Sequence, residues 1–215
     1  MRRDEKAEIY LMVKISRLVY RIGSMVSRVY SLLIKREFDR LEGATIWWNV
    51  KLDNVSHMSV GRGVTVRSGS WLYAVVSDQC GHKLNPRIEI QDGVYLGHRL
   101  HLTAVDRVTI EVGAMIADGV YISDNIHDYH DVNVPIQRQA VVSKGPLSIG
   151  AGAFVGEGAR IVGPVRVGRN SVVGANAVVT KDIPDFSVAV GIPATVIRTY
   201  DKEQDVWKPV GQAER

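Results

Sequence analysis

From residue 149 onward an aliphatic residue occupies every sixth position: Ile149, Val155, Ile161, Val167, Val173 and Val179. Glycine follows at Gly150, Gly156, Gly168 and Gly174. The same beat runs through Ile90, Leu96 and Leu102, shifts by two residues, and resumes at Ile110, Ile116 and Ile122. A fainter trace is Val60, Val66 and Leu72. A period of six fits neither the 3.6-residue turn of a helix nor the alternation of a half-buried strand. It fits a unit of one short strand and one corner, with the aliphatic residue pointing inward and a small residue turning the chain. Three such units close a triangular coil. Stacked coils bury one continuous aliphatic column while their backbones pair. The chain is therefore expected to be all-β, a parallel β-helix of hexapeptide repeats.

Residues 5–41 lack this beat and lack proline. Their apolar positions, Leu11, Ile15, Leu18, Ile22, Met25, Val29, Leu32 and Leu33, follow the spacing of an amphipathic helix, which Gly23 could split. The first forty residues hold ten basic and five acidic side chains. Such a helix can pack on the β-helix or on a neighbouring subunit, or lie on an anionic membrane surface as a peripheral contact. Lys14 and Arg17 interrupt its apolar part and no small-residue cleavage site follows, so it is not read as a signal peptide. The expected organisation is a helical segment over 1–43, a β-helix domain over 44–199 with a loop at 123–148, and a peripheral tail over 200–215.

The 27 basic and 23 acidic residues leave a charge of +4, spread along the chain. Without a basic patch interleaved with aromatics, a nucleic-acid partner is not expected. The balance suits a small ligand carrying phosphates. A single cysteine, Cys80, excludes an intrachain disulfide and fits a cytoplasmic chain. No Cys–His signature marks it as a nucleophile.

The beat stops between Ile122 and Ile149, where the insert SDNIHDYHDVNVPIQRQAVVSKGPLS carries two histidines and two prolines. A long excursion from a regular solenoid is more often functional than decorative. His127 lies near its start. Imidazole titrates nearest neutrality and is the usual general base for a hydroxyl or amine. A surface histidine in a polar loop is the competing reading, for His127 and His130 alike.

The stretch ISDNIHDY, the repeats, and the run VVGANAVVTKDIPDFSVAVGIPATVIR resemble the hexapeptide-repeat acetyltransferases. The nearest members are the galactoside, maltose and bacterial surface-polysaccharide O-acetyltransferases, and the likeness spans about residues 44–199. It implies a left-handed β-helix; spacing alone does not give that hand, since parallel crossovers are ordinarily right-handed. It also implies a homotrimer with sites between subunits, acetyl-CoA as co-substrate, and His127 as catalytic base. Gly174, Ala175, Thr180 and Lys181 match positions lining the coenzyme groove, and Arg198 matches a basic residue near its phosphates. Phe154 stands where relatives carry a tryptophan beside the pantetheine arm. Gly156 and Glu157 are further candidate coenzyme contacts, and their corner through Gly158 is a candidate source of oxyanion donors. Galactoside-type members hold the acceptor with an asparagine, where this chain has Gly97 and His98. His98, His101, Asp124 and His130 are the candidate acceptor contacts. Asp128, Asp124 and Glu157 are candidates to orient His127. No metal is expected, although His98, His101 and His127 could supply a zinc triad of the kind found in related β-helix carbonic anhydrases.

The resulting expectation is acetyl transfer to a sugar hydroxyl in surface-polysaccharide biosynthesis (O-antigen, capsule or exopolysaccharide), in the cytoplasm or peripherally on the inner face of the membrane. The alternatives are an N-acetyltransferase of an amino sugar or small amine, and a non-catalytic β-helix scaffold.

Overall fold

A computed structural model describes residues 3–210, with side chains from residue 12 onward. After one helix, α1 (Arg3–Ile34), the chain winds through three sheets. The first sheet stacks Arg40–Leu41, Met58–Val60, Arg87–Ile90, Arg107–Ile110, Leu147–Ile149 and Arg166–Val167. The second stacks Thr45–Ile46, Thr65–Val66, Tyr95–Leu96, Met115–Ile116, Phe154–Val155, Val172–Val173 and Ser187–Val190. The third stacks Lys51–Asp53, Trp71–Ala74, His101–Ala104, Tyr121–Ser123, Arg160–Val162 and Val178–Val179. All these neighbours are parallel.

Register explains the six-residue beat. In the third sheet Leu72 stands over Leu102, Leu102 over Ile122, Ile122 over Ile161, and Ile161 over Val179. Every beat residue named from the sequence is buried. Burying one such side chain contributes roughly 1.5–3 kcal/mol, so the column supplies most of the favourable energy of folding. The corners must be thin. A Cβ on Gly156 would lie 2.6 Å from the backbone nitrogen of Ala175 in the next coil. Gly158 adopts φ of +68°, which L side chains rarely do.

Three boundaries differ from expectation. The first coil begins at Arg40, which pairs with Ser59, because the β-helix extends back under the helix. α1 runs unbroken through Gly23, whose missing side chain lets the helix approach Trp47; a Cβ there would meet Cζ3 of Trp47 at 3.2 Å. The expected tail is structured as far as described: Thr195–Asp201 returns antiparallel along Ser187–Val190 and pairs with Val206–Pro209. Residues 211–215 lie outside the described residues.

The docking face of α1 is also not the apolar stripe read from the sequence. Ser27 and Ser31 are buried. The Ser31 hydroxyl accepts from the Ile46 backbone N–H at 2.8 Å and donates to Ser27 carbonyl oxygen at 2.7 Å. Ile15, Leu18, Ile22, Met25, Val29, Leu32 and Leu33 point outward and are exposed. No helix among the described residues is long and apolar enough to cross a membrane.

Candidate active site

Two excursions leave the coil on the same side, both from the ends of third-sheet strands. One is the expected insert after Ser123. The other, residues 75–86, follows Trp71–Ala74 and escapes the sequence pattern, because Leu72 and Ile90 are a whole number of repeats apart.

The insert is built from its base. Ser123 is buried, and its hydroxyl donates to the Asn125 carbonyl. Asp124 is 1% exposed; its carboxylate accepts from the backbone N–H groups of Val105 and Asp106 and from the Asn125 amide. This pins the insert to the preceding coil. Asp124 is therefore neither an acceptor contact nor the partner of His127: burial and three donors occupy its oxygens. Asn125–His127 then pairs antiparallel with Val141–Ser143, placing His127 opposite Val141. The tip of this hairpin is closed by buried Gln139, whose amide donates to the carbonyls of Asp131 and Val134.

The second excursion braces the hairpin at three points. Val141 N–H donates to Asp78, the Cys80 thiol to the Arg138 carbonyl at 3.2 Å, and the Gln79 amide to the Gln139 carbonyl at 2.9 Å. That same amide nitrogen lies 3.0 Å from Nδ1 of His127. His127 is exposed, with Nδ1 held by that bond. Its orienting neighbour is thus Gln79. Asp128 turns instead to His130, accepting from that ring, and the hydrogen bonds hold its carboxyl below the usual carboxylate range. Glu157 is exposed at a coil corner, where its carbonyl accepts from the Asn176 N–H.

The other histidines are engaged elsewhere. His98 accepts from Arg67 at Nε2 and bonds Ser68 Oγ through Nδ1 at 2.6 Å, a network continuing to Tyr20 of α1. Both of its ring nitrogens are thus engaged within this chain. His101 stacks on Trp71 at 4.5 Å and meets the edge of Tyr121 at 5.1 Å. Burial, with Lys51 and Arg160 nearby, lowers its pKa. His130 is exposed and stacks on Tyr129. His98, His101 and His127 thus each have different partners in this chain.

The expected coenzyme positions fall in three places. Gly156 and Glu157 stack against Gly174 and Ala175 at the corner entering the third sheet. The two glycines are required by coil stacking, since a Cβ on Gly174 would meet Val190 Cγ1 at 2.8 Å. Thr180 and Lys181 are exposed at the other end of that sheet, two coils from the strand that launches His127. That is about 10 Å at the usual strand spacing. Phe154 is 37% exposed on the outer face of the second sheet, between Met115 and Val172. Arg198 is exposed on the antiparallel extension of the same sheet, opposite Val188.

Residues 146–181 match the bacterial transferase hexapeptide family (six repeats). The chain carries hexapeptide repeats of the bacterial transferase type. Galactoside O-acetyltransferase of Escherichia coli (strain K12) is 37% identical to this hexapeptide chain over 100 residues, 46% of this chain and 48% of that protein. WbbJ of the same strain, a candidate lipopolysaccharide biosynthesis O-acetyl transferase, is 30% identical over 128 residues, 56% of this chain and 65% of that protein. The chain thus spans less than two thirds of either relative. Among solved structures, AntD, an N-acyltransferase from Bacillus cereus in complex with dTDP and 3-hydroxybutyryl-CoA, superposes with a TM-score of 0.67 at 18% identity. The overlap covers 81% of this hexapeptide chain and 90% of AntD. The fold is the expected left-handed β-helix.

Proposed function

We propose that this chain transfers an acetyl group from acetyl-CoA to a sugar hydroxyl, with His127 as general base, in the synthesis of a surface polysaccharide. The observation that carries the reading is the exposed His127 imidazole, fixed through Nδ1 on a hairpin that springs from a hexapeptide coil. The names of WbbJ and of galactoside O-acetyltransferase support the class of donor and acceptor.

The chemistry needs little more than position and a base. Neutral imidazole takes the acceptor's hydroxyl proton as its oxygen attacks the thioester carbon. The tetrahedral intermediate then expels the coenzyme thiolate, which recovers that proton. Such base catalysis contributes about 10²–10⁴ in rate, and holding two substrates together contributes more. For Nε2 to accept the proton, Nδ1 must carry one, so the Gln79 amide, whose nitrogen faces Nδ1 in the structure, has to turn its oxygen to the ring and release the Gln139 carbonyl.

The residues present suit the coenzyme. Lys181 and Arg198 offer exposed cations for phosphates, and Phe154 an apolar face for the pantetheine arm. Within one chain the Gly156–Ala175 corner and the His127 hairpin stand at opposite ends of the third sheet. A groove between two copies brings one end of each together, which favours the homotrimer. The outward stripe of α1, with Arg17, Arg21 and Arg28 on the same helix, suits peripheral contact with an anionic membrane, where lipid-linked acceptors lie.

The test is thiol release from acetyl-CoA across sugars, nucleotide sugars and amines, for wild type and His127→Ala. Release with a hydroxyl acceptor, reduced at least a hundredfold in the variant, is expected. Release with amines alone transfers the reading to N-acetylation. Near-normal turnover in His127→Ala refutes the base, and no acetyl-CoA binding leaves a scaffold.

A further inference from the structure

The excursion that braces His127 also gathers three side chains that bind soft and borderline metals. We propose that Asp78, Cys80 and His82 form a site for a divalent ion of the zinc class. Their donor atoms, a carboxylate oxygen, Sγ and a ring nitrogen, lie within 4.8 Å of one another. Carboxylate, thiolate and imidazole together are a donor set that zinc favours over magnesium or calcium, which prefer oxygen alone.

The geometry is built around the buried member. The Asp78 side chain is fully buried, while Cys80 and His82 are exposed beside it. Oδ1 of Asp78 accepts the backbone N–H groups of Cys80 and His82, each at 2.9 Å. Ser77 and Lys83 bridge below, and Gly81 turns the chain with φ of +83°. The two outer side chains are thus presented on the same short turn as the carboxylate.

Oδ2 of Asp78 and Nδ1 of His82 are 2.9 Å apart and share a proton. A tetrahedral zinc ion with oxygen and nitrogen ligands at about 2.0–2.1 Å separates them by about 3.3 Å. Exchange of one proton for the cation therefore needs a shift of only a few tenths of an ångström. Cys80 supplies the third ligand by turning Sγ from the Arg138 carbonyl, and the fourth position is open to water. Gln79 sits in sequence between the first two ligands and contacts His127. Metal binding here fixes the residue that positions the imidazole, while leaving His127 itself outside the ligand set.

The test uses full-length protein dialysed against a chelator and titrated with Co²⁺. The expected result is a thiolate-to-cobalt charge-transfer band in the near-ultraviolet that saturates at one ion per chain and is displaced by Zn²⁺. Cys80→Ser and His82→Ala abolish it with unchanged circular dichroism, and His127→Ala keeps it. Absence of the band in wild type overturns the site, and so does a band that survives Cys80→Ser. Loss in His127→Ala with retention in His82→Ala overturns this ligand set. None of these readouts depends on acetyl transfer, so the site stands or falls apart from the proposed activity.

Discussion

The Gln79 amide nitrogen and Nδ1 of His127 lie 3.0 Å apart, although each residue rides on its own excursion from the coil. The amide also donates to the Gln139 carbonyl at 2.9 Å, so its orientation is fixed by a second bond. In this arrangement Nδ1 accepts. Turning the amide to accept from Nδ1–H forfeits the bond to Gln139 and sets its oxygen against a carbonyl. Gln79 thus fixes the plane of the ring, and base chemistry at Nε2 further requires its amide to turn over so that Nδ1 carries the proton.

Gln79→Ala is expected to lower kcat about tenfold, a fraction of the 10²–10⁴ a base supplies, with KM for acetyl-CoA unchanged. Gln79→Glu places a carboxylate beside the ring and favours imidazolium. The acidic limb of the kcat/KM profile should move to higher pH by about one unit. Both follow from steady-state kinetics across pH. If neither kcat nor the limb moves, Gln79 braces the hairpin without positioning the base.

The interior of this fold was open to sequence reading because one physical demand repeats every coil. Ile161 and Val179 are stacked neighbours in the same column, three repeats apart, and the spacing of the pattern records it. His127 was visible because the insert breaks the beat. Gln79 was not, since its excursion preserves the phase between Leu72 and Ile90. Asp124 was misread for a related reason: a carboxylate beside a candidate base suggests chemistry, while its use in anchoring a loop to Val105 and Asp106 depends on a contact between coils. The helix misled differently. Its apolar stripe was legible, but docking goes through the small residues Gly23, Ser27 and Ser31, which permit close approach to Trp47 and Ile46.

The column and its corners should differ in how they fail. Ile122→Ala removes a fully buried side chain and is expected to cost about 2–5 kcal/mol through lost burial and a cavity. Gly156→Ala adds only a methyl, yet forces it against the backbone of Gly174 and Ala175. It should cost about 1–3 kcal/mol by overpacking. Urea denaturation measures both. A neutral Gly156→Ala would show that the corners relax more freely than the coil spacing allows.

Acid should weaken the fold through His101 before the carboxylates respond. Its pKa is lowered by burial first, then by Lys51 and Arg160, so the unfolded chain binds the proton more readily. Stability is then level above the unfolded pKa of about 6.5 and falls as pH drops toward the folded value. Asp39 and Asp185, held low chiefly by bonds from Ser59 and Arg166, lose their contribution only below about pH 4. The urea midpoint should therefore decline between pH 6.5 and 5 in wild type. His101→Gln should flatten that decline, and an unchanged slope would assign it to other groups.

Ser31 and Leu32 are adjacent on α1 and should respond in opposite ways to their apparent polarity. Ser31 is buried and is the hydrogen-bond acceptor for the Ile46 N–H, whereas Leu32 is 72% exposed on this chain. Ser31→Ala leaves that N–H without its partner beneath the helix. A cost of about 1–3 kcal/mol is expected, the penalty for a buried unsatisfied group. Leu32→Ala should change the stability of the isolated chain by less than about 0.5 kcal/mol, as for surface sites generally. Instead it should weaken sedimentation with vesicles containing anionic lipid, because it removes apolar area from the outward stripe. If Leu32→Ala lowers stability in a protein-concentration-dependent way and leaves vesicle binding intact, the stripe faces another copy of the chain.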